Sequence, residues 1–322
     1  MKKILPDAVF VAPFNIIHNE YARELDIVIV GKNRGVLWEQ FDLPRYLRSV
    51  GNPLLLNLCN AAPMTYTNQV VTVHDVAFMV NPSWFSKKFV WFYKFLIPWV
   101  ARKAKLVFTV SNFSRQEIVK YFGIDAQKIK VIYNSVNHLP QLPNNFNKYG
   151  RYLLIVSSID KRKNIERLIR AFFLVKDENI KLLVAGDTSS IFNNNELKKN
   201  YTNEKILFLG RVSDESLCNL YSNAISFVYP SLYEGFGIPP LEAISCNCPI
   251  IVSNIESLRE VYGDAALFAD PYSEEDIAQK ITLLINDQLL RNDLIEKGKK
   301  IVNKYSWEKS ARLIIDSIKY LN

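Results

Sequence analysis

Two glutamates eight positions apart, in the run Glu234-Gly-Phe-Gly-Ile-Pro-Pro-Leu-Glu242, bracket a glycine turn of a kind that can do chemistry. Before them, Ile225 to Tyr229 is an apolar run that reads as a buried strand closed by Pro230. After them, Pro239 and Pro240 open a helical pattern, and proline is at home in a first helical turn. Strand, glycine turn and helix N-terminus together leave backbone N–H groups pointing outward, which suits an anion. A carboxylate on each side suggests a ligand with more than phosphate, and paired sugar hydroxyls fit because a carboxylate accepts their hydrogen bonds. The same residues also read as a solvated loop glutamate and a first-turn glutamate favoured by the helix dipole. The pair alone does not separate these readings.

A second segment, Val156-Ser-Ser-Ile-Asp-Lys-Arg-Lys-Asn164, is a strand end, a loop with three consecutive cations, and a candidate helix cap. Cations just ahead of a helix oppose its dipole. A diphosphate would resolve that conflict, with Arg162 binding bidentately and Lys163 acting as a point charge. A solvated basic loop is the plainer reading of this segment alone. In an alternating sheet, however, the Gly235-Phe-Gly237 turn falls on the same edge.

The elements that must position these groups are regular. In the C-terminal half, Tyr152–Val156, Lys181–Ala185, Ile206–Leu209, Ile225–Tyr229, Pro249–Val252 and Ala266–Ala269 read as strands with helices between them. Asn164 is expected to cap a helix carrying Ile165, Leu168, Ile169, Phe172 and Phe173, and Asp214 to cap the helix Glu215–Ser222. In the N-terminal half the expected strands are Ala8–Val11, Ile27–Val30, Pro53–Leu56, Val70–Val73, Leu106–Val110 and Ile129–Ile132. Such alternation implies α/β architecture with parallel, doubly wound sheets. The polar stretch from Gln141 to Tyr149 reads as an interdomain linker. The expected division is residues 1–147, 148–305 and a terminal helix at 306–322. Two such domains leave a cleft between the carboxyl ends of their strands, where ligands bind.

Composition narrows the class. The 322 residues are 49% hydrophobic and 22% charged, ordinary for a globular enzyme. Through Asn147 there are 17 Lys and Arg against 9 Asp and Glu, so the whole formal charge of +8 lies in that half and the remainder balances. Such asymmetry suggests one half facing an anionic surface. Cys59, Cys218, Cys246 and Cys248 lack metal-ligand spacing and read as small apolar residues of a reducing compartment. Met1-Lys2-Lys3 is basic, but Asp7 interrupts any apolar stretch, so no signal peptide is expected and a cytoplasmic location is. No D-x-D occurs; Glu274-Glu-Asp276 reads as the acidic first turn of a helix, and no metal is expected.

The stretch Ser83 to Lys105 holds eight aromatics and six cations and no acid. Lys94 and Pro98 interrupt it too early for a bilayer span. It reads either as an interfacial helix, with aromatics at the lipid boundary and cations on anionic headgroups, or as a core helix with a solvated basic edge. No nucleic-acid motif accompanies it, and nucleic acid is not an expected partner.

Six segments in order carry a family resemblance. Glu234 to Glu242 resembles the E-x7-E motif of retaining glycosyltransferases of family 4, which have the GT-B fold of two Rossmann-like domains. Arg162-Lys163-Asn164 resembles their P-R-K-N segment, with Asp160-Lys161 where Glu-Pro is common. Val71-Thr-Val-His-Asp75, Thr109-Val-Ser-Asn-Phe-Ser114, Val131-Ile-Tyr-Asn-Ser-Val136 and Ser306-Trp-Glu-Lys309 resemble four further motifs, the last opening a helix that crosses back to the N-terminal domain. The resemblance runs from about Gly35 onward.

It implies transfer of a hexose from a nucleotide-diphosphate sugar to a saccharide acceptor, in bacterial surface polysaccharide synthesis of the O-antigen type, and the basic N-terminal half suggests that this acceptor is on a lipid carrier. The donor would be GDP-linked in preference to UDP or dTDP. The enzyme would be metal-free and peripheral on the inner face of the cytoplasmic membrane, an anionic surface. By resemblance, Glu234 and His74 are the catalytic residues, Glu234 beside the transferred sugar and His74 on the acceptor side. Arg162, Lys163 and Ser158 would hold the diphosphate, and Gly235, Phe236, Gly237 and Ile238 the sugar. Glu242 would take the ribose hydroxyls, with Gly210, Arg211 and Val212 flanking the base. Two departures stand out: Val156-Ser157-Ser158 has hydroxyls where family members often carry Gly-Arg, and Phe10-Val-Ala-Pro-Phe14 lacks the usual glycine-rich loop. A GT-B phosphorylase, a nucleotide-sugar epimerase and a silent nucleotide-sugar-binding scaffold are the alternatives.

Overall fold

The computed structural model describes residues 4–17, 19–137, 147–158, 160–186 and 201–321. The expected linker lies outside them as far as Phe146. The chain forms two compact units, Met1–Tyr133 with Trp307–Asn322, and Asn134–Ser306.

In the first unit, β1 (Val11–Ala12) and β2 (Val28–Ile29) form a separate parallel pair. The main sheet runs β3 (Leu55–Asn57), β4 (Gln69–Thr72), β5 (Leu106–Thr109), β6 (Ile129–Val131), all parallel. The separation of β1 and β2 has a plain cause. Each is two residues long, and Val28 and Ile29 stay exposed, so neither has a covered face to hold it in a larger sheet. By contrast β4 and β5 are buried along their whole length. The helix Lys87–Lys103 lays Leu96, Ile97, Val100 and Ala101 against Val71, Val107 and Ile118. The helix Trp307–Ile318 returns from the end of the chain to this unit. Its Ile314 joins Val70, Leu106, Phe108 and Ile132, and Ser310 Oγ donates to the Tyr133 carbonyl at 2.7 Å.

The second unit is one parallel sheet of β7 (Arg151–Val156), β8 (Ile180–Ala185), β9 (Ile206–Gly210), β10 (Ser226–Tyr229), β11 (Ile250–Ser253) and β12 (Ala266–Ala269). Its spatial order is β9-β8-β7-β10-β11-β12. In chain order that is 3-2-1-4-5-6, the Rossmann arrangement, and winding reverses between β7 and β10. Leu153, Ile155, Leu182 and Val184 pack beneath the helix Ile165–Leu174 and the helix Glu274–Asn286, through Leu168, Ile169, Ile277 and Ile281. Those helical residues recur at the 3.6-residue period, which is why the pattern was legible.

Three local expectations are corrected. Ser213, not Asp214, caps the helix Asp214–Asn223: its Oγ accepts from Ser216 N at 3.3 Å, and Asp214 is already helical. Asn164 makes no side-chain cap for its helix and instead adopts the left-handed conformation, φ 58°. Cys59 is exposed, so only Cys218, Cys246 and Cys248 are buried apolar filling; all four thiols are free. Among the described residues no helix is long and apolar enough to cross a membrane.

The end of β8 is fixed by a backbone contact. Gly186 sits at φ +138°, and a Cβ there would lie 1.9 Å from the Ser157 carbonyl oxygen. No side-chain motion can relieve that, so only glycine lets β8 finish beside the loop that follows β7. Gly186→Ala should therefore cost about 2 kcal/mol or more, read as a fall of roughly 5 °C in melting temperature. A variant melting with the parent would show that this approach is not obligatory.

Candidate functional site

The turn of winding between β7 and β10 puts the two motif loops side by side, since the loop after β7 carries Arg162 and Lys163 and the loop after β10 carries Glu234. A short 3-10 turn, Lys161–Lys163, presents the cations. Asp160 caps it by accepting from Lys163 N at 3.2 Å, and Ser158 Oγ donates to the other Asp160 oxygen at 3.0 Å. The remaining alignment comes from Asn164. Its left-handed backbone turns the amide so that Nδ2 donates to the Pro230 carbonyl at 3.0 Å and the Pro271 carbonyl at 2.7 Å. One side chain thus joins the loops after β7, β10 and β12. Leu232 N donating to the Arg162 carbonyl at 2.8 Å adds a backbone tie.

Between these loops lies one buried carboxylate. Glu234 accepts from Lys163 Nζ at 2.7 Å and from Arg162 Nη1 at 3.2 Å, with side-chain exposures of 8%, 11% and 19% for Glu234, Lys163 and Arg162. The Tyr229 hydroxyl donates to the Glu234 oxygen that Lys163 also binds, at 2.9 Å, and itself accepts from Lys163 Nζ at 2.7 Å. Burial alone would raise the Glu234 carboxyl, but the Lys163 and Arg162 cations outweigh it and hold the group below the usual carboxylate range. Burial pushes the Tyr229 phenol well up, so it stays a neutral donor. Arg162 Nη1 also donates to the Tyr233 carbonyl at 3.2 Å.

The turn that follows is braced from the core. Gly237 takes φ +85°, and a Cβ there would meet Leu258 Cδ2 at 2.7 Å; its carbonyl accepts from the Tyr262 hydroxyl. Gly235 and Phe236 are buried beside it, and Ile238 begins the helix Ile238–Ser245. Glu242 is half-buried on that helix and accepts from the Tyr221 hydroxyl at 3.2 Å. Burial raises its carboxyl, with the Tyr221 hydrogen bond opposing and Asp214 adding to the rise. Gly210 ends β9 at φ +70°, its carbonyl accepting from Gly186 N at 2.8 Å; Arg211 after it is exposed and Val212 partly so.

His74 belongs to the first unit. Its Nε2 donates to the Leu58 carbonyl at 3.0 Å, its backbone N–H to Asn60 Oδ1 at 2.7 Å, and its carbonyl accepts from Ser114 Oγ at 3.1 Å. Because a carbonyl only accepts, that bond places a proton on Nε2. Every expected residue of the second unit sits at the carboxyl edge of its sheet or on the helix that follows it. Tyr229, Tyr221, Asn164 as a three-loop bridge, and Asn60 were not singled out from sequence. A tyrosine closing a buried strand was the available sign for Tyr229. Among the described residues no group of three or more His, Cys, Asp or Glu side chains is placed to hold a metal ion.

The cluster has a measurable stability signature. Lys163→Met leaves a buried carboxylate with one cation fewer and should cost about 2 kcal/mol, and Lys163→Met/Glu234→Gln should recover most of it. A carboxyl depressed on folding stabilises fully above its unfolded pKa of about 4.3, and this contribution is lost as pH falls through the lower folded value. Glu234→Gln should accordingly flatten the acid side of the melting-temperature profile below about pH 5. An unchanged slope would show that the cations do not hold Glu234 ionised.

Comparison with known proteins places this geometry. The model for Glycosyl transferases group 1 matches residues 142–301, and the model for Glycosyltransferase Family 4 matches residues 23–138. The chain is 34% identical over 277 residues to O-antigen chain mannosyltransferase B of Escherichia coli, covering 80% of this chain and 72% of that one. It is 32% identical over 271 residues to O-antigen chain mannosyltransferase RfbU of Salmonella typhimurium, covering 84% and 74%. Among solved structures, HepE of Anabaena in complex with UDP and glucose superposes with a TM-score of 0.77 at 16% identity, covering 98% of this chain and 93% of that one. A glycosyltransferase from Rickettsia africae gives 0.76 at 20% identity, covering 99% and 91%. With both units matched by family models and relatives alike over most of their length, the chain belongs to glycosyltransferase family 4 and is a GT-B enzyme that transfers a sugar from a nucleotide-diphosphate sugar to an acceptor.

Proposed function

We propose that the protein is a retaining, metal-free hexosyltransferase that moves mannose from a GDP-linked donor to a saccharide on a lipid carrier. The observation that carries this reading is the Glu234 carboxylate held between Lys163 and Arg162 at the reversal of the sheet. The names of the two O-antigen mannosyltransferases support the sugar, and the basic first half supports an acceptor at an anionic surface.

The chemistry follows from the charges. Lys163 spends two of its three N–H bonds on Tyr229 and Glu234 and has a third for a donor phosphate oxygen. Arg162 brings a second cation, and the Gly235–Gly237 turn is assigned to the diphosphate and sugar. As the bond from the sugar C1 to the phosphate oxygen breaks, negative charge grows on the leaving diphosphate, and these fixed donors stabilise it without reorganising. Glu234, ionised and neutralised by two cations, is a weak base. Its role is to accept a sugar hydroxyl and offset charge at C1, while the acceptor oxygen bonds to C1 on the departing face and its proton passes to the leaving phosphate. Glu242 takes the ribose hydroxyls, Ser158 a phosphate oxygen, Gly210, Arg211 and Val212 the base, and His74 the acceptor side.

The test is transfer from GDP-mannose with analysis of the product linkage. The expected product has the α configuration of the donor, at a rate indifferent to EDTA. Glu234→Gln should lower kcat by 10²-fold or more while changing donor Kd less than tenfold, and Lys163→Ala should weaken donor binding. An inverted product would end the retaining reading. Phosphate-dependent release of sugar phosphate would indicate a phosphorylase, product without acceptor an epimerase, and donor binding without turnover across acceptors a scaffold.

A further inference from the structure

The helical run from Gly35 to Ser49 in the first unit carries one widened turn, Trp38–Asp42, in which Leu43 N donates to the Trp38 carbonyl five residues back. The sequence supplies the cause. Pro44 has no N–H for the Gln40 carbonyl, and its ring would press on that carbonyl in a regular α-helix, so the backbone opens by one residue. Such a turn is rare and persists where its surroundings hold it. Both of its ends are clamped to the residues that follow β2. Trp38 Nε1 donates to the Val30 carbonyl at 2.7 Å. At the other end the Asp42 carboxylate accepts from Lys32 N at 2.9 Å, Asn33 N at 2.8 Å and Asn33 Nδ2 at 2.9 Å.

Between the clamps sits Glu39, half-buried. Its neighbour Gln40 docks the turn on the stretch after β3, with Nε2 donating to the Ala62 carbonyl at 3.0 Å and Oε1 accepting from Met64 N at 3.0 Å. The same Nε2 donates to Glu39 Oε1 at 2.9 Å and so sets the direction of the carboxylate. Among the described residues, Glu39 Oε2 has no donor and the carboxylate has no cation. Burial raises its carboxyl, and the Gln40 hydrogen bond offsets only part of the rise. The stretch that Gln40 grips also holds His74, through the Leu58 carbonyl and Asn60. Glu39 is close to it, since its charge adds to burial in raising the Cys59 thiol. This is the carboxyl edge of the first sheet, where open α/β sheets take their ligands.

A half-buried carboxylate with no cation costs stability. Glu234 offsets that cost with Lys163 and Arg162, and nothing comparable meets Glu39. A clamped, rare turn that delivers an uncompensated carboxylate to a ligand-binding edge is an arrangement for binding, not for folding. We propose that Glu39 binds the acceptor, its Oε2 accepting a hydrogen bond from a hydroxyl of an uncharged saccharide, while Gln40 and the widened turn hold it in position. An ionised carboxylate only accepts, so a hydroxyl is its match and an anionic group on the sugar is repelled. The inference rests on the saccharide acceptor of the proposed reaction and names a residue that selects among such acceptors.

The experiment uses the full chain with GDP-mannose and three acceptors, octyl α-mannoside, octyl α-galactoside and octyl β-N-acetylglucosaminide. With the best of these, Glu39→Ala and Glu39→Gln should raise the acceptor KM about tenfold or more, while GDP-mannose Kd stays within about twofold of the parent value. Among monodeoxy forms of that acceptor, altered at a hydroxyl that is not glycosylated, one should cost the parent about as much. Glu39→Ala should lose nothing further with it, because the bond is already gone. A carboxyl raised on folding is destabilising above its unfolded pKa, so Glu39→Gln should melt at or above the parent near pH 7. Parental acceptor KM in both variants would overturn the proposal and leave the reaction standing. Losses from Glu39→Ala that simply add to those of every deoxy acceptor would overturn it too, as would a Glu39→Gln protein melting several degrees lower, the mark of a structural brace. A parent that transfers to none of the three glycosides would overturn the saccharide acceptor, and this inference with it.

Discussion

A buried carboxylate is costly, and the second unit is organised around bearing that cost at one place. Glu234 is nearly excluded from solvent, yet it stays ionised because two cations and a neutral phenol meet it within hydrogen-bond distance. Those partners come from different strand ends, and they converge only because β7 and β10 are neighbours with reversed winding on either side. Placed elsewhere along the sheet edge, the same residues would be a solvated loop and an unpaired buried acid. Topology and electrostatics are therefore one constraint here. The sheet order brings the charges together, and the charges reward the close approach of the loops.

The same arrangement suits the role proposed for it. In the proposed reaction a diphosphate beside Lys163 and Arg162 would meet donors whose positions are already set by bonds to Glu234, Tyr229 and the Tyr233 carbonyl. Water, which would have to reorient as charge develops, would be replaced by fixed dipoles. Tyr229 is essential to that rigidity, since it uses its hydroxyl as donor and acceptor at once.

Much of this was legible in the chain, for identifiable reasons. The strands of the second unit are largely continuous apolar runs, so Ile206–Gly210 and Ala266–Ala269 are legible nearly to the residue. The pairing of Glu234 with Lys163 could be suspected because both follow strands, but its geometry needed the order of strands, which no local pattern encodes. Asn164 was misread for a related reason. Asparagine before an apolar helical stretch is a good cap by type, and only two carbonyl-bearing loops brought beside its own in space make it a bridge instead. Ser213 took the capping role from Asp214 through a shift of one residue, the scale on which caps compete. In the first unit the strand expected at Ala8–Val11 shares only Val11 with β1 and that expected at Ile27–Val30 is trimmed to β2, and their isolation from the main sheet depends on what fails to cover them.

The bridge built by Asn164 has a thermodynamic side. It fastens the loops after β7, β10 and β12 through two short bonds from one amide, with Arg167 steadying its oxygen at 2.9 Å. Loops tied in this way have little conformational freedom left to surrender when a ligand arrives. Under the proposed function these three loops would meet a donor as a mould, and the part they play in discrimination would fall to shape and hydrogen-bond matching instead of to the work of ordering them.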